Sequence, residues 1–309
     1  MLDVHCHFVP GPTIATLDSF PTVRLGDGAI SHAGRTLPLP ARLGDADGFA
    51  AHIAGLDLAV VSPPPGLYLE SLAEERPGYA EQVNDDILAW APDGVGVLGW
   101  LPLWSPAAAL AAIERLAGHP KAVGLTMGTT HGAALVDSSY DQVWHALAEA
   151  GLALQLHPDS DPYRPDAKGL ANASVLGFPS ATTAAVVRLL LDGDGFWASG
   201  ARLCLVHGGG FLALTLPRLL RGVPGKRDVV VERMTRLFAD ALVFDEPATR
   251  LVEATFAPEH VLPGSDWPFP VGLPQLPERD DWRAALAGWS PRAAALLPLT
   301  TTRKDRQDG

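Results

Sequence analysis

Cysteine is nearly absent. Cys6 and Cys204 are the only two in 309 residues, too few for a disulfide framework. Both fall in apolar runs that read as strands, so two reduced, buried thiols are expected. No run approaches the ~20 apolar residues that a membrane-spanning helix needs, and no membrane partner is expected. The opening MLDVHCHFVP has no basic stretch of the kind that starts a secretory signal, which makes a cytoplasmic location the expectation. Positive charge is scarce as well: 23 Lys and Arg stand against 35 Asp and Glu, for a net charge of -12. The basic residues form no stripe, so nucleic acid would be repelled rather than bound. There is no low-complexity segment, short-period repeat or obvious linker, and the reading is one domain over 1–309.

What is present suits a large core. Hydrophobic residues make up 47% and charged residues 19%, an ordinary globular balance. Short apolar runs at 2–8, 57–62, 95–103, 121–127, 152–157, 202–207, 241–244 (the weakest) and 260–266 read as strands. Longer amphipathic stretches at 47–56, 81–92, 106–118, 139–150, 181–193 and 247–257 read as helices. Alternation repeated about eight times predicts an α/β fold, a distorted (β/α)8 TIM barrel. Val- and Leu-rich strands fit burial on both faces. Residues 9–46 break the repeat and are read as an insertion over the barrel mouth, with a small β-hairpin. The polar end TTRKDRQDG is expected to fray.

Five residues able to do chemistry share one property, that each closes a predicted strand: His5 and His7, His157, His207 and Asp266. Barrel strands converge with their C-terminal ends at one mouth, so these groups would meet in space. In a strand, residues i and i+2 point to one face. His5 and His7 can therefore grip one cation, while Cys6 points into the layer between strand and helices. A His-x-His pair alone is weak, and a lone strand-end histidine is more often a packed residue than a ligand. With a third histidine and an aspartate at the right strand ends, a metal site becomes the better reading, because unrelated polar groups buried together would lack partners.

Five segments, DVHCHFVP (3–10), LQLHP (154–158), GFPSATTAAVVRLL (177–190), LVHGGGF (205–211) and LPGSDWPFP (262–270), resemble the branch of the amidohydrolase superfamily typified by α-amino-β-carboxymuconate-ε-semialdehyde decarboxylase, in the same order and over almost the whole chain. The resemblance implies that His5, His7, His157 and Asp266 hold one divalent metal, zinc or else manganese. It implies that His207 is the acid/base histidine, with Gly208, Gly209 and Gly210 making the tight turn after it. Arg218 corresponds to an arginine that binds the substrate carboxylate across a homodimer interface. A second arginine is expected from the insertion, Arg35 ahead of Arg42, while His32 is read as a loop residue. Trp267 and Phe269 are expected to wall the pocket. Two departures concern substrate. Ser174 stands near the position of the family's aromatic gate, and 159–173 lacks its tryptophans, so a wider or differently gated pocket is expected. The His-x-His pair also differs from several dihydroxybenzoate-acting relatives, which carry an acid at the first histidine.

The expected activity is non-oxidative decarboxylation of a small unsaturated or aromatic carboxylic acid. A hydrolase or hydratase on the same scaffold, using metal-bound hydroxide, is the alternative, since fold does not fix reaction. A non-catalytic metal-binding barrel is the third reading.

Overall fold

A computed structural model describes residues 1–159, 173–269 and 282–297. Strands β1 (Leu2–His7), β5 (Leu58–Ser62), β6 (Val95–Trp100), β7 (Ala122–Gly128), β8 (Ala153–His157), β9 (Leu203–Leu205), β10 (Leu237–Asp240) and β11 (Val261–Leu262) form one parallel sheet in chain order. The sheet closes. Val4 N–H donates to Pro263 O and His7 N–H to Trp267 O, each at 2.8 Å, and Cys6 pairs with Trp267. Helices follow the strands outside, as the eightfold alternation predicts.

Two strands differ most from the sequence reading, and the sixth also stops short, at Leu205. The seventh is Leu237–Asp240, not 241–244. The first ends on an acid and the second is wholly apolar, but 241–245 is drawn into tight turns, with Val243 N–H on Ala241 O and Asp245 N–H on Val243 O. Phe244 sits there at φ 70°, outside strand conformation. The eighth ladder ends at Leu262; the chain then runs alongside β1 to Asp266.

Side-chain parity builds the interior. Val4, Leu58, Val60, Leu98, Val123 and Phe238 fill the lower barrel, stoppered by Leu286 and Trp289 of helix Trp282–Trp289. Each fully buried apolar side chain contributes about 1.5–3 kcal/mol. The alternate positions, including Cys6, Val61, Val97 and Leu156, face the helix layer. In β1 the alternation breaks once. A register shift between Asp3 and Cys6 lets Val4 and His5 both face inward, after which Cys6 faces out and His7 in. A bulge re-aims side chains in this way beside functional sites.

The insertion is more than a hairpin. After helix Gly11–Asp18 comes an antiparallel sheet of β2 (Arg24–Gly26), β3 (Ala29–His32) and β4 (Arg35–Pro38). Its first turn is Asp27-Gly28, at φ 51° and 70°, the Asp-Gly signature of a two-residue hairpin turn. Ile30, Leu37 and Leu39 pack this sheet on Leu67 and Tyr79. Contrary to the sequence scan, Ala173–Asp192 is long and apolar enough by length and composition to cross a bilayer. In the fold it is part of the helix layer, burying Ala185, Val186, Leu189 and Leu190. The chain end 298–309 lies outside the described residues.

Candidate metal centre

Strand ends and the turns beyond them deliver four groups to one point. One ligand atom from each of His5, His7, His157 and Asp266 lies within 4.8 Å of the others. His5 Nε2 is 3.2 Å from His7 Nε2. Asp266 Oδ1 lies 3.3 Å from the first and 3.1 Å from the second. The His157 ring stands 5.1 Å from that of His5 and 5.0 Å from that of His7, centre to centre.

The far side of each ring decides what the near side carries. His157 Nδ1 lies 2.9 Å from the Pro158 carbonyl, which can only accept, so Nδ1 holds the proton and Nε2 a lone pair. His5 Nδ1 faces the Asp240 carboxylate at 2.7 Å, with the same consequence. His7 Nδ1 can donate to Ser62 Oγ at 3.0 Å. Among the described residues, three lone pairs and a carboxylate oxygen then converge with nothing to donate to them, and His157 Nε2 and Asp266 Oδ1 are buried without a hydrogen-bond partner. Such orphaned acceptors are costly in a protein interior, and a divalent cation is the species that satisfies all four. These residues fit the metal that the sequence motifs imply.

Without an ion, proton affinities follow the same geometry. Burial lowers His157 well below the ordinary histidine value, reinforced by His7, His5 and His207. Burial also lowers His7, despite Asp266. For His5 the burial penalty is outweighed by Asp266 and Asp240, and its pKa rises. Burial would raise Asp266, but His5, His207 and His7 hold it well below the usual carboxylate range.

His207 sits at the rim of this cluster. Its Nε2 is 3.4 Å from Asp266 Oδ2, and its side chain keeps 19% exposure. Both His207 (φ 53°) and Asp266 (φ 54°) hold left-handed backbone, uncommon outside glycine and typical of functional sites. Beyond His207 the three glycines are required. A Cβ on Gly208 would meet Val243 at 2.3 Å and one on Gly210 the Pro179 carbonyl at 2.4 Å, both at positive φ.

A second layer braces the first, and the sequence reading missed it. Asp240 binds His5 through Oδ2 and receives Gly208 N–H and Leu242 N–H on Oδ1 at 2.9 and 3.1 Å. Asp3 Oδ1 accepts from the backbone N–H groups of His5 and Ser265, and Oδ2 from Ser265 Oγ at 2.6 Å, with His52 Nε2 at 2.7 Å. Asp3 thus ties β1 to the turn that carries Asp266. The available signal was a buried-looking acid inside each apolar strand; Ser62 and His52 carried none.

The remaining predicted residues separate. Cys6 and Cys204 are fully buried, and burial pushes both thiols well up, which fits neither ligand nor nucleophile. His32, expected in a loop, instead closes β3 and is buried, its ring bonded to Ser71 Oγ and the Thr22 carbonyl. Trp267 stacks on His52 and meets Phe49 edge-on, committing its ring to the helix layer. Phe269 meets the ligand His7 edge-on, 6.3 Å away centre to centre. Arg218 is exposed on helix Leu212–Gly222 and has no partner among the described residues. Arg42 is exposed in the turn Ala41–Gly44. The Arg35 side chain and the loop 160–172 lie outside the described residues; Ser174 lies in the single π-turn Ala173–Gly177 before helix Phe178–Asp192.

Comparison with known proteins agrees with this geometry. A curated relative, the 2-amino-3-carboxymuconate-6-semialdehyde decarboxylase of Dictyostelium discoideum, is 23% identical over 70% of the chain, which spans 64% of that relative's length. Among solved structures, 5-carboxyvanillate decarboxylase from Sphingomonas paucimobilis superposes with a TM-score of 0.74 at 22% identity, covering 97% of this chain and 99% of the other. A dihydroxybenzoic acid decarboxylase from Polaromonas sp. JS666, with bound manganese and the inhibitor 2-nitroresorcinol, gives 0.66 at 20% identity, covering 99% and 92%. These two structures share the barrel. The amidohydrolase family profile matches residues 2–304, from the first strand through the metal-site turn and beyond, and the chain belongs to that family.

Proposed function

We propose that the protein is a metal-dependent carboxy-lyase that removes CO2, without oxidation, from a small unsaturated or aromatic carboxylic acid. The observation that carries this reading is the inward convergence of three imidazole lone pairs and one carboxylate beside a partly exposed histidine. The decarboxylases among its relatives and structural neighbours supply the reaction class.

His5, His7, His157 and Asp266 would hold one divalent ion, zinc or manganese. When bound, such an ion supplies Lewis-acid polarisation and charge neutralisation. The protein's own groups do the rest. Breaking the C–C bond leaves its electron pair on the substrate carbon, and a proton must replace the lost carboxylate. His207 Nε2, at the rim of the site, is the group placed to move that proton. Phe269 excludes water on the His7 side. Arg218 would bind a carboxylate through its paired N–H groups in the active site of a second copy of the chain. Its exposure and its lack of a partner among the described residues support that role, as do the exposed Leu214 and Leu251 on the adjoining helices Leu212–Gly222 and Glu246–Phe256.

The test is CO2 release from a panel of hydroxybenzoic and muconic acids by protein loaded with zinc or manganese, run in isotopically labelled water. Stoichiometric CO2 with one solvent proton in the product supports the reading. Incorporation of solvent oxygen without CO2 would assign the site to hydrolysis or hydration instead.

A further inference from the structure

We infer that Asp240 is a positioning residue for the metal centre, one carboxylate that fixes both the tautomer of His5 and the turn that carries His207. The inference rests on the metal-site reading above and adds a residue to it.

Asp240 closes β10 with its side chain fully buried. Its oxygens have separate tasks. Oδ2 accepts a hydrogen bond from His5 Nδ1–H at 2.7 Å. Oδ1 takes Gly208 N–H at 2.9 Å and Leu242 N–H at 3.1 Å. Gly208 directly follows His207, whose backbone holds φ 53°. One carboxylate therefore spans a ligand on the first strand and the acid/base residue beyond the sixth. The space around it is filled. A Cβ on Gly264 would lie 2.8 Å from His5 Cβ and 3.0 Å from Asp240 Cβ, so the chain packs closely against both side chains.

All three groups facing Asp240 are donors, and that makes the assignment testable. A carboxylate can accept on both sides; an amide of the same shape cannot. In Asp240→Asn the two backbone N–H groups cannot change character, so the amide oxygen turns to them and the NH2 turns to His5. His5 must then accept at Nδ1 and carry its proton on Nε2, the atom aimed at the metal. The opposite orientation would set the NH2 against two N–H groups. A merely structural role predicts that this isosteric change is tolerated; a tautomer-fixing role predicts that it is not.

The experiment is zinc affinity by chelator competition, with melting of the metal-free proteins alongside. Asp240→Asn is expected to bind zinc about 10–100-fold more weakly than wild type, the range for loss of a partner behind a ligand histidine, while the metal-free variant keeps a cooperative melt. If wild type binds zinc and Asp240→Asn binds it equally well, the assignment of Asp240 is overturned and the metal site stands. If wild type binds none, both are overturned. A measurement on wild type covers a variant that fails to fold. In zinc-loaded protein with 15N-labelled histidine, His5 is expected to show a protected proton on Nδ1, identified by its loss in His5→Gln. An unprotonated Nδ1 would overturn the inference.

Discussion

Removing the metal should change stability by an amount set by mass action and chain length. The folded site presents four convergent acceptors within 4.8 Å; the unfolded chain scatters them over more than 260 residues. Metal binding to the folded state alone stabilises it by about 2.7 kcal/mol at a free concentration of 100 times Kd. Unfolding entropy of roughly 2.1 cal/mol/K per residue, taken over 309 residues, gives about 0.65 kcal/mol/K. The melting temperature should therefore rise by ~4 °C at that concentration, and by ~2 °C more for each further tenfold. The assay is scanning calorimetry of chelator-stripped protein across a zinc or manganese titration, with Asp266→Ala as control. Asp266 Oδ1 lies 3.1–3.3 Å from two imidazole nitrogens, so its loss should flatten the dependence while the metal-free variant still melts cooperatively. A melting temperature unaffected by metal, or an equal rise in Asp266→Ala, would refute the reasoning.

Three further outcomes are expected. His207→Asn should retain its metal content by plasma mass spectrometry but lose about 10²–10⁴-fold in turnover, the usual contribution of a positioned acid or base; lost metal would make His207 a ligand instead. Gly264→Ala forces a Cβ to 2.8 Å from that of His5 and should cost about 1–3 kcal/mol in urea unfolding, with weaker metal binding; an unchanged midpoint would show that the wall yields. The metal-free protein should lose stability as pH falls from 7 to 5. His157 and His7, lowered by burial, stay neutral when folded but take up protons near ~6.5 when unfolded. His5, whose folded pKa is raised, works the other way and only partly offsets them. Thermal melts at the two pH values, with His157→Gln expected to show the shallower slope, check this.

The parts of the site that were legible in the sequence are those governed by periodicity. His5 and His7 share a face because strands alternate, and that held even though a register shift at Asp3–Cys6 turned the strand beneath them. His157 was legible because β8 is a clean five-residue strand ending on it. His207 and Asp266 were found as strand-end residues and inside motifs, yet both lie in turns past the ladders, at positive φ; alternation says nothing about where such a residue points. Asp240 was missed because ALVF is wholly apolar whereas LFAD ends on an acid, and the resulting four-residue misplacement put the strand beyond its own functional end. Trp267 was read as a pocket wall because it adjoins Asp266, but its neighbours Phe49 and His52 come from a helix whose approach no local pattern specifies.

The buried charges bind these observations together. Asp266 is 15% exposed and Asp240 fully buried at the side chain, and among the described residues no lysine or arginine pairs with either. Asp3 is also buried, but hydroxyl, backbone and imidazole partners surround it on the far side of β1. Two carboxylates in a low-dielectric interior require two compensating positive charges. A divalent ion supplies both at once, and with three neutral imidazoles the centre becomes electrically balanced. Without it, the only recourse is protonation, and the histidine drawn toward its charged form is His5, the one between Asp266 and Asp240. Protons and metal thus compete for the same two negative charges, which ties the acid sensitivity of this fold to the occupancy of its centre.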